Sequence, residues 1–254
     1  MPSTPDRTRA IILAAGRGTR LGDLVKDRPK CLLEFGGRPL LDWQLRALAA
    51  NGITDVVVII GFGAKHVASF LSEHWPAVKP LHNPFYDVSD NLASLWLARE
   101  EMTGDMFVLN GDTLVSPELV GRVLGGATAP ITVTIDRKPA YDADDMKVQL
   151  DGTRLRRIGK TLTADQANAE SIGLLLFRDS GPGLFRQAIK DAMYEQATIK
   201  RWFLSIIDSL AATADIHGLS IEGLGWGEVD FPADIAVGES LVAQWRSETW
   251  AART

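Results

Sequence analysis

The chain has 254 residues, 46% apolar and 23% charged, with 27 Lys and Arg against 32 Asp and Glu for a net charge of −5. Such a chain buries a sizeable core, which excludes disorder, collagen and coiled coil, and the acidic balance without a basic run argues against a grip on nucleic acid. One cysteine, Cys31, excludes an intrachain disulfide and a Cys-based zinc cluster.

In chain order, residues 1–8 read as a disordered tail. The six-residue apolar run Ala10 to Ala15 ends at Gly16, which fits a buried parallel strand and is too short for a signal peptide. Pro39 to Ala50 places Leu40, Leu41, Trp43, Leu45 and Leu48 at helical spacing, with Asn51 and Gly52 as the stop. Asp55 to Ile60 is the next strand, Lys65 to Glu73 a helix, and Val78 to His82 a short strand. Ser89 or Asp90 caps a helix running to Met102, and Met106 to Leu109 is a strand leading into Asn110, Gly111 and Asp112. Strands alternating with helices argue for a parallel sheet covered on both faces. After about residue 130 strands dominate: Ile131 to Asp136, Met146 to Leu150, Leu155 to Ile158 and Ser171 to Phe177, with a hairpin turn at Asp151 and Gly152. Helices are expected near Pro182 to Tyr194, Arg201 to Ala212 and from Pro232. No stretch reaches the about 18 apolar residues of a membrane span, so a cytoplasmic protein without membrane insertion is expected. One α/β domain with a small β-rich insertion is the architecture this pattern suggests.

The segment Leu13 to Leu21 reads Leu-Ala-Ala-Gly-Arg-Gly-Thr-Arg-Leu, and Arg28 to Leu33 reads Arg-Pro-Lys-Cys-Leu-Leu. Gly16 and Gly18 let the chain turn tightly after a strand and bring N–H groups to an anion. Arg20 forks onto phosphate oxygens, and Lys30, fixed by Pro29, supplies a compact positive charge. A lone Gly-x-Gly is usually an ordinary turn; the strand, turn, arginine and Pro-Lys together point to phosphate. The third glycine of a dinucleotide fingerprint is missing, and no Walker Gly-Lys-Ser/Thr occurs.

This segment resembles the N-terminal pattern of the nucleotidyltransferases that make NDP-sugars and CDP-alcohols. The likeness continues through Gly36 to Leu41, Asn110 to Asp112, and Glu228 to Asp234. It implies a Rossmann-like fold, with a mixed, mostly parallel sheet between helices. It also implies that Leu13, Ala14, Ala15, Gly16, Gly18, Thr19 and Arg20 hold a triphosphate, with Gly61 and Gly111 alongside. Lys30 would then contact the transferring or acceptor phosphate. On the same resemblance, residues 9–130 form the nucleotide part and 131–254 the acceptor part of one domain, a catalytic unit with no appended β-helix. Gly22 to Val25 departs from the Pro-Leu-Thr of sugar-nucleotide members.

Asp112 ends a buried strand, where open α/β sheets bind ligands, and Asp230 follows a second apolar run with Glu228 two residues earlier. Magnesium needs few carboxylates beside phosphate oxygens and water. The resemblance makes Asp112 and Asp230 its holders, although capping a turn or a helix would also explain them.

Asn83 to Tyr86 and Asp90 to Leu95 are similar to segments of bacterial choline-phosphate cytidylyltransferases, with Asp90 in place of an asparagine. That likeness puts Asn91 and Ser94 on a pyrimidine edge and CTP in the site. Lys147 and Lys160 are candidates for acceptor or α-phosphate contacts. Glu170 and Glu228 would face the acceptor, or in the case of Glu170 simply pair with a lysine. A quaternary ammonium wants aromatic faces, for which Tyr141, Trp202 and Trp226 are candidates, whereas a primary ammonium prefers carboxylates. The expectation is a Mg²⁺-dependent cytidylyltransferase acting on a small phospho-alcohol or phosphonate, phosphocholine-like in size. The alternatives are a sugar-1-phosphate nucleotidyltransferase using UTP, dTTP or GTP, an inositol-phosphate cytidylyltransferase, and a silent binding subunit. A homodimer is compatible with any of them.

Overall fold

The computed structural model describes residues 8–26 and 28–247; the expected N-terminal tail lies almost wholly outside them. β1 (Arg9–Ala14) leads through the glycine turn into a 3-10 stretch (Thr19–Val25), and a short hairpin, β2 (Glu34–Phe35) and β3 (Arg38–Pro39), feeds α1 (Leu40–Ala49). Then come β4 (Asp55–Ile60), α2 (Ala64–His74), β5 (Lys79–His82), α3 (Asn91–Leu97), β6 (Met106–Asn110), β7 (Thr113–Val115) and α4 (Pro117–Gly126). The second half supplies β8 (Ile131–Asp136), β9 (Lys147–Asp151), β10 (Arg154–Ile158), β11 (Ala169–Phe177), α5 (Gly181–Ala192) and α6 (Leu204–Leu210). It closes with β12 (Ile216–Ser220), β13 (Trp226–Glu228) and α7 (Asp234–Ser247).

One nine-stranded sheet runs in the order β5-β4-β1-β6-β11-β8-β12-β10-β9. The first four strands are parallel, β11 runs against both its neighbours, and β12 is again parallel to β8. The β-rich part of the second half therefore extends the same sheet, and β9 also pairs back onto β11. Because both faces are covered, β1 is apolar at every position after Arg9. Ala10, Ile12 and Ala14 pack with residues of α1, α2 and α4, while Ile11 packs on the opposite face with residues of α3, α5 and α6. Each of the fully buried isoleucines, Ile11 and Ile12, contributes about 1.5–3 kcal/mol. A third cluster, with Leu21, Phe35, Trp43, Val229 and Trp245, clamps α7 onto the β2–β3 hairpin and the 3-10 stretch.

Several elements differ from the sequence expectation for local reasons. α3 stops at Leu97 because Ala98 leaves helical geometry (φ −88, ψ 8), and a 3-10 turn (Arg99–Glu101) covers the remaining distance to Met102. α6 starts at Leu204, since Arg201 is extended (φ −96, ψ 149) and its carbonyl accepts from the Leu92 N–H. α4 has no counterpart among the predicted helices, although its start is written in Ser116, whose hydroxyl accepts from the Leu119 N–H, and in Pro117 at the first turn.

Candidate active site

β1 and β6 end level with each other, Leu13 opposite Asn110, so the glycine turn and the Gly111–Asp112 corner meet at the C-terminal edge of the parallel strands. That edge is where an open α/β sheet binds ligands. A cavity of about 330 Å³ opens there, within the range of small-molecule sites. Of the expected residues, Leu13, Ala15, Gly16, Gly18, Thr19, Arg20, Lys30, Asn91, Ser94, Gly111, Asp112, Lys160, Trp202, Glu228 and Asp230 line it. Gly111 is there of necessity, because a Cβ would lie 2.4 Å from the Leu13 carbonyl oxygen.

The charged centre is a knot of four side chains. Lys30 Nζ lies 2.8 Å from Asp112 Oδ2 and 2.7 Å from Asp230 Oδ1, and Arg20 is 2.6 Å from the other Asp230 oxygen. Burial alone would lower the Lys30 pKa; the two carboxylates outweigh it and hold the ammonium above its usual 10.5. β7 and β13 bring the acids together: they pair antiparallel, Glu228 opposite Thr113, and the Val229 N–H reaches the Asp112 carbonyl. Asp230 does not cap the helix that follows. Asp234 caps that turn, accepting the N–H groups of Asp230 and Phe231 at 2.7 Å each.

Among the described residues no three His, Cys, Asp or Glu side chains converge as a closed metal cluster. A metal here would rest on two carboxylates, with phosphate oxygens and water completing its shell, the donor set that suits Mg²⁺. Asp112 Oδ1 fits that role, being buried without a hydrogen-bond partner. Glu228 stands beside them and pairs with no cation within 4.0 Å among the described residues. Confinement in the cleft, and next the negative charges of Asp112 and Asp230, push its carboxyl up to about 8.

On the side of α3 the polar groups support one another. Asn83, fully buried, donates to Ser94 Oγ at 3.0 Å and accepts from the Phe85 N–H. Asn91 Oδ1 accepts from the Phe203 N–H at 2.8 Å, and Asp90 caps α3 by accepting from the Asn91 N–H. Asn91 and Ser94 thus face the cavity with their oxygens already engaged in holding its wall. Asn83, Tyr86, Ser89, Asp90, Asn110, Met146 and Leu204 also line the cavity, and none of them is among the expected site residues. The Asn83 to Tyr86 motif carried a signal for two of them; Met146 and Leu204 carried none.

Six expected residues lie outside this lining. Ala14 points into the core behind β1, as strand alternation requires. Gly61 lies beneath the glycine turn, where a Cβ would sit 2.6 Å from both the Ala15 oxygen and Tyr86 Cβ. Lys147 is buried and donates to the Asp142 carbonyl at 2.5 Å. Trp226 donates from its indole N–H to Asp136 at 2.8 Å, away from the opening. Tyr141 sits in the loop 137–146 outside the lining. Glu170 turns to Lys138, whose ammonium lies 3.0 Å from it and 2.7 Å from Asp145. Burial pushes the Glu170 carboxyl up to about 7, against the pull of Lys138 and with the Asp145 charge adding to the rise.

The fold recurs in solved nucleotidyltransferases. The CTP:phosphocholine cytidylyltransferase of Streptococcus pneumoniae matches with a TM-score of 0.77 at 22% identity, over 93% of this chain and 99% of that one. The inositol-1-phosphate CTP transferase of T. maritima gives 0.77 at 19% identity, over 94% and 98%. The fold is thus that of nucleotide-sugar-type transferases. The chain belongs to the MobA-like NTP transferase domain family, which matches residues 10–173, and is a nucleotidyltransferase. It is 31% identical over 250 residues to the CMP-5'-(3-aminopropyl)phosphonate synthase of Streptomyces rubellomurinus, covering 91% of this chain but only 38% of that protein. It is 26% identical over 236 residues to the 2-aminoethylphosphonate cytidylyltransferase of Lancefieldella rimae, covering 92% of this chain and 93% of that one. Among the described residues no helix is long and apolar enough to cross a membrane.

Proposed function

We propose that the protein transfers a cytidylyl group from CTP to a terminal oxygen of a small phosphorylated alcohol or phosphonate, with release of pyrophosphate. The observation that carries this reading is the chain of ion pairs Arg20–Asp230–Lys30–Asp112, each contact 2.6–2.8 Å, with Lys160 lining the same cavity. The resemblance to cytidylyltransferases in both halves of the chain supports CTP as the donor.

A phosphate monoester, with a second pKa of about 6, is largely dianionic at neutral pH and needs no general base. Its oxygen forms a bond to the α-phosphorus of CTP while the bond to the bridging oxygen breaks, and that electron pair leaves with pyrophosphate. The protein's task is to align two mutually repelling anions. Arg20 forks onto phosphate oxygens, and Lys30 moves its charge from the two aspartates to the transferring group. Asp112 and Asp230 would hold Mg²⁺, which when bound neutralises phosphate charge. The wall built by Asn83, Asn91 and Ser94 takes the base. On this reading residues 9–130 handle the nucleotide and 131–254 the acceptor within one domain, in the cytoplasm where CTP is made and used.

Pyrophosphate release from four nucleoside triphosphates, each paired with phosphocholine, 2-aminoethylphosphonate, inositol phosphate and glucose 1-phosphate, tests the reading. CTP should exceed the others by at least about tenfold, since a site that hydrogen-bonds a base edge rejects one lacking the match. Equal or faster turnover of UTP or dTTP would overturn it, and no release with any pair would return the chain to the silent binding subunit.

A further inference from the structure

On the cytidylyl-transfer reading, the part of the cavity lined by Met146, Lys160 and Trp202 receives the acceptor. The loop 137–146 borders this part. Its Asp144 carboxylate is 61% exposed and lies 3.7 Å from Arg20 and 3.8 Å from Lys160, with no other partner among the described residues. The loop itself is tightly braced. Lys138 bridges Asp145 at 2.7 Å and Glu170 at 3.0 Å, and Asp142 Oδ1 accepts the N–H groups of both Asp144 and Asp145. The buried ammonium of Lys147 holds the Asp142 carbonyl from below.

Charge decides what such an arrangement prefers. When phosphate or phosphonate oxygens take Arg20 and Lys160, Asp144 loses both its cations and faces new anions. That is repulsive unless the acceptor brings its own positive charge. A quaternary ammonium is poorly served, since it donates no N–H and wants several aromatic faces. Among the described residues two aromatic side chains line the cavity, Tyr86 and Trp202, and each already has a cation near its ring centroid, Arg17 at 5.8 Å and Lys160 Nζ at 4.9 Å. A primary ammonium has three donors, and the exposed carboxylate of Asp144 is there to accept from it.

We propose that Asp144, set in place by the Lys138–Asp145–Glu170 bridge, is a specificity-determining residue that accepts the primary ammonium of a zwitterionic phosphate or phosphonate acceptor. The inference rests on the cytidylyl-transfer reading and narrows its acceptor to one chemical class. Lys138, Asp145 and Glu170 act through the loop as positioning residues.

The test is kcat/KM for 2-aminoethylphosphonate and for ethylphosphonate, with CTP, in the wild type, Asp144→Asn and Lys138→Met. The wild type should prefer the aminated acceptor. Asp144→Asn should lower that preference by up to about fivefold, the scale of a partly exposed ion pair, through the KM of the aminated acceptor and with no loss on ethylphosphonate. Lys138→Met should move the preference the same way by less. If Asp144→Asn lowers both acceptors in proportion, the residue merely steadies Arg20 and Lys160 and the proposal is overturned. A preference unchanged in Lys138→Met overturns the positioning role of the bridge. Turnover of non-aminated acceptors alone overturns this inference and leaves the broader reading standing, whereas no release from CTP with any acceptor overturns both.

Discussion

At the β1–β6 end of the cavity the functional groups hang from buried, parallel-paired strands, and the two aspartates are tied by the β7–β13 ladder. At the other end they hang from the loop 137–146, from Lys160 beyond β10, and from Trp202 ahead of α6, held by ion pairs and a ring contact. The first end is fixed by packing and backbone hydrogen bonds, which vary little with the choice of surface residue. The second is fixed by side-chain electrostatics, which a single substitution can rewire. On the proposed function, a site so divided would keep one chemistry and let the acceptor change, and relatives at 24–31% identity have names that state different acceptors.

The largest expected effect is at the rigid end. Asp112→Asn and Asp230→Asn should each lower turnover by about 100-fold or more, the scale of removing one charge-stabilising group. The double variant should be little worse than either, because groups that act as a unit are not additive. Asparagine keeps the shape, so unchanged circular dichroism with lost pyrophosphate release separates this role from capping. Losses that multiply in the double variant would show two independent aspartates.

A smaller effect sharpens the contrast between the two ends. Lys30→Ala should lower kcat by about 100-fold, because its ammonium serves the transferring group. Lys160→Ala should raise the KM for the acceptor by about tenfold and lower kcat far less, since it acts at the exposed end in binding. Steady-state kinetics with CTP saturating reads both. Equal effects on kcat would erase the division drawn between the ends.

The smallest effect concerns stability at the loop. Burial pushes Glu170 from its usual 4.5 up to about 7, so between these values the folded protein keeps a proton that the unfolded chain has released. Stability therefore falls as pH rises through that window, is unaffected by this group below it, and has lost the full contribution above it. Glu170→Gln removes the dependence. The wild-type Tm relative to the variant should drop by roughly 5–10 °C between pH 5 and pH 8, at about 1.4 kcal/mol per pH unit of the window crossed and about 2–4 °C per kcal/mol in a chain of this size. A difference that is flat across the window would place Glu170 at its ordinary pKa.

The glycine turn and Asp112 were legible because each sits just past a strand end, where local chain geometry limits what the chain can face, whereas Arg20 and Lys30 were singled out by the resemblance of their segments. The strands β1, β4, β6 and β8 were legible for the same reason, as unbroken apolar runs must be buried on both faces. The polar positions of α3 that face the cavity were only half legible: the cap was written in Asp90, while the engagement of Asn91 with Phe203 spans 112 residues. Lys147 and Lys160 illustrate the limit. In sequence they are two equivalent lysines. The β9 pleat drives Lys147 into the interior, against the Asp142 carbonyl, and the turn after β10 leaves Lys160 at the cavity. Short ribbons such as β7–β13 have too few residues for a period to show, and the meeting of Asp112 with Asp230 depends on pairing segments more than a hundred residues apart. The sequence by itself thus determined the class of fold and the glycine turn that opens onto the cavity, both products of local patterning. Only the tertiary structure decided which acids, lysines and aromatic rings share the cavity, because those neighbours are set by long-range packing that no local window contains.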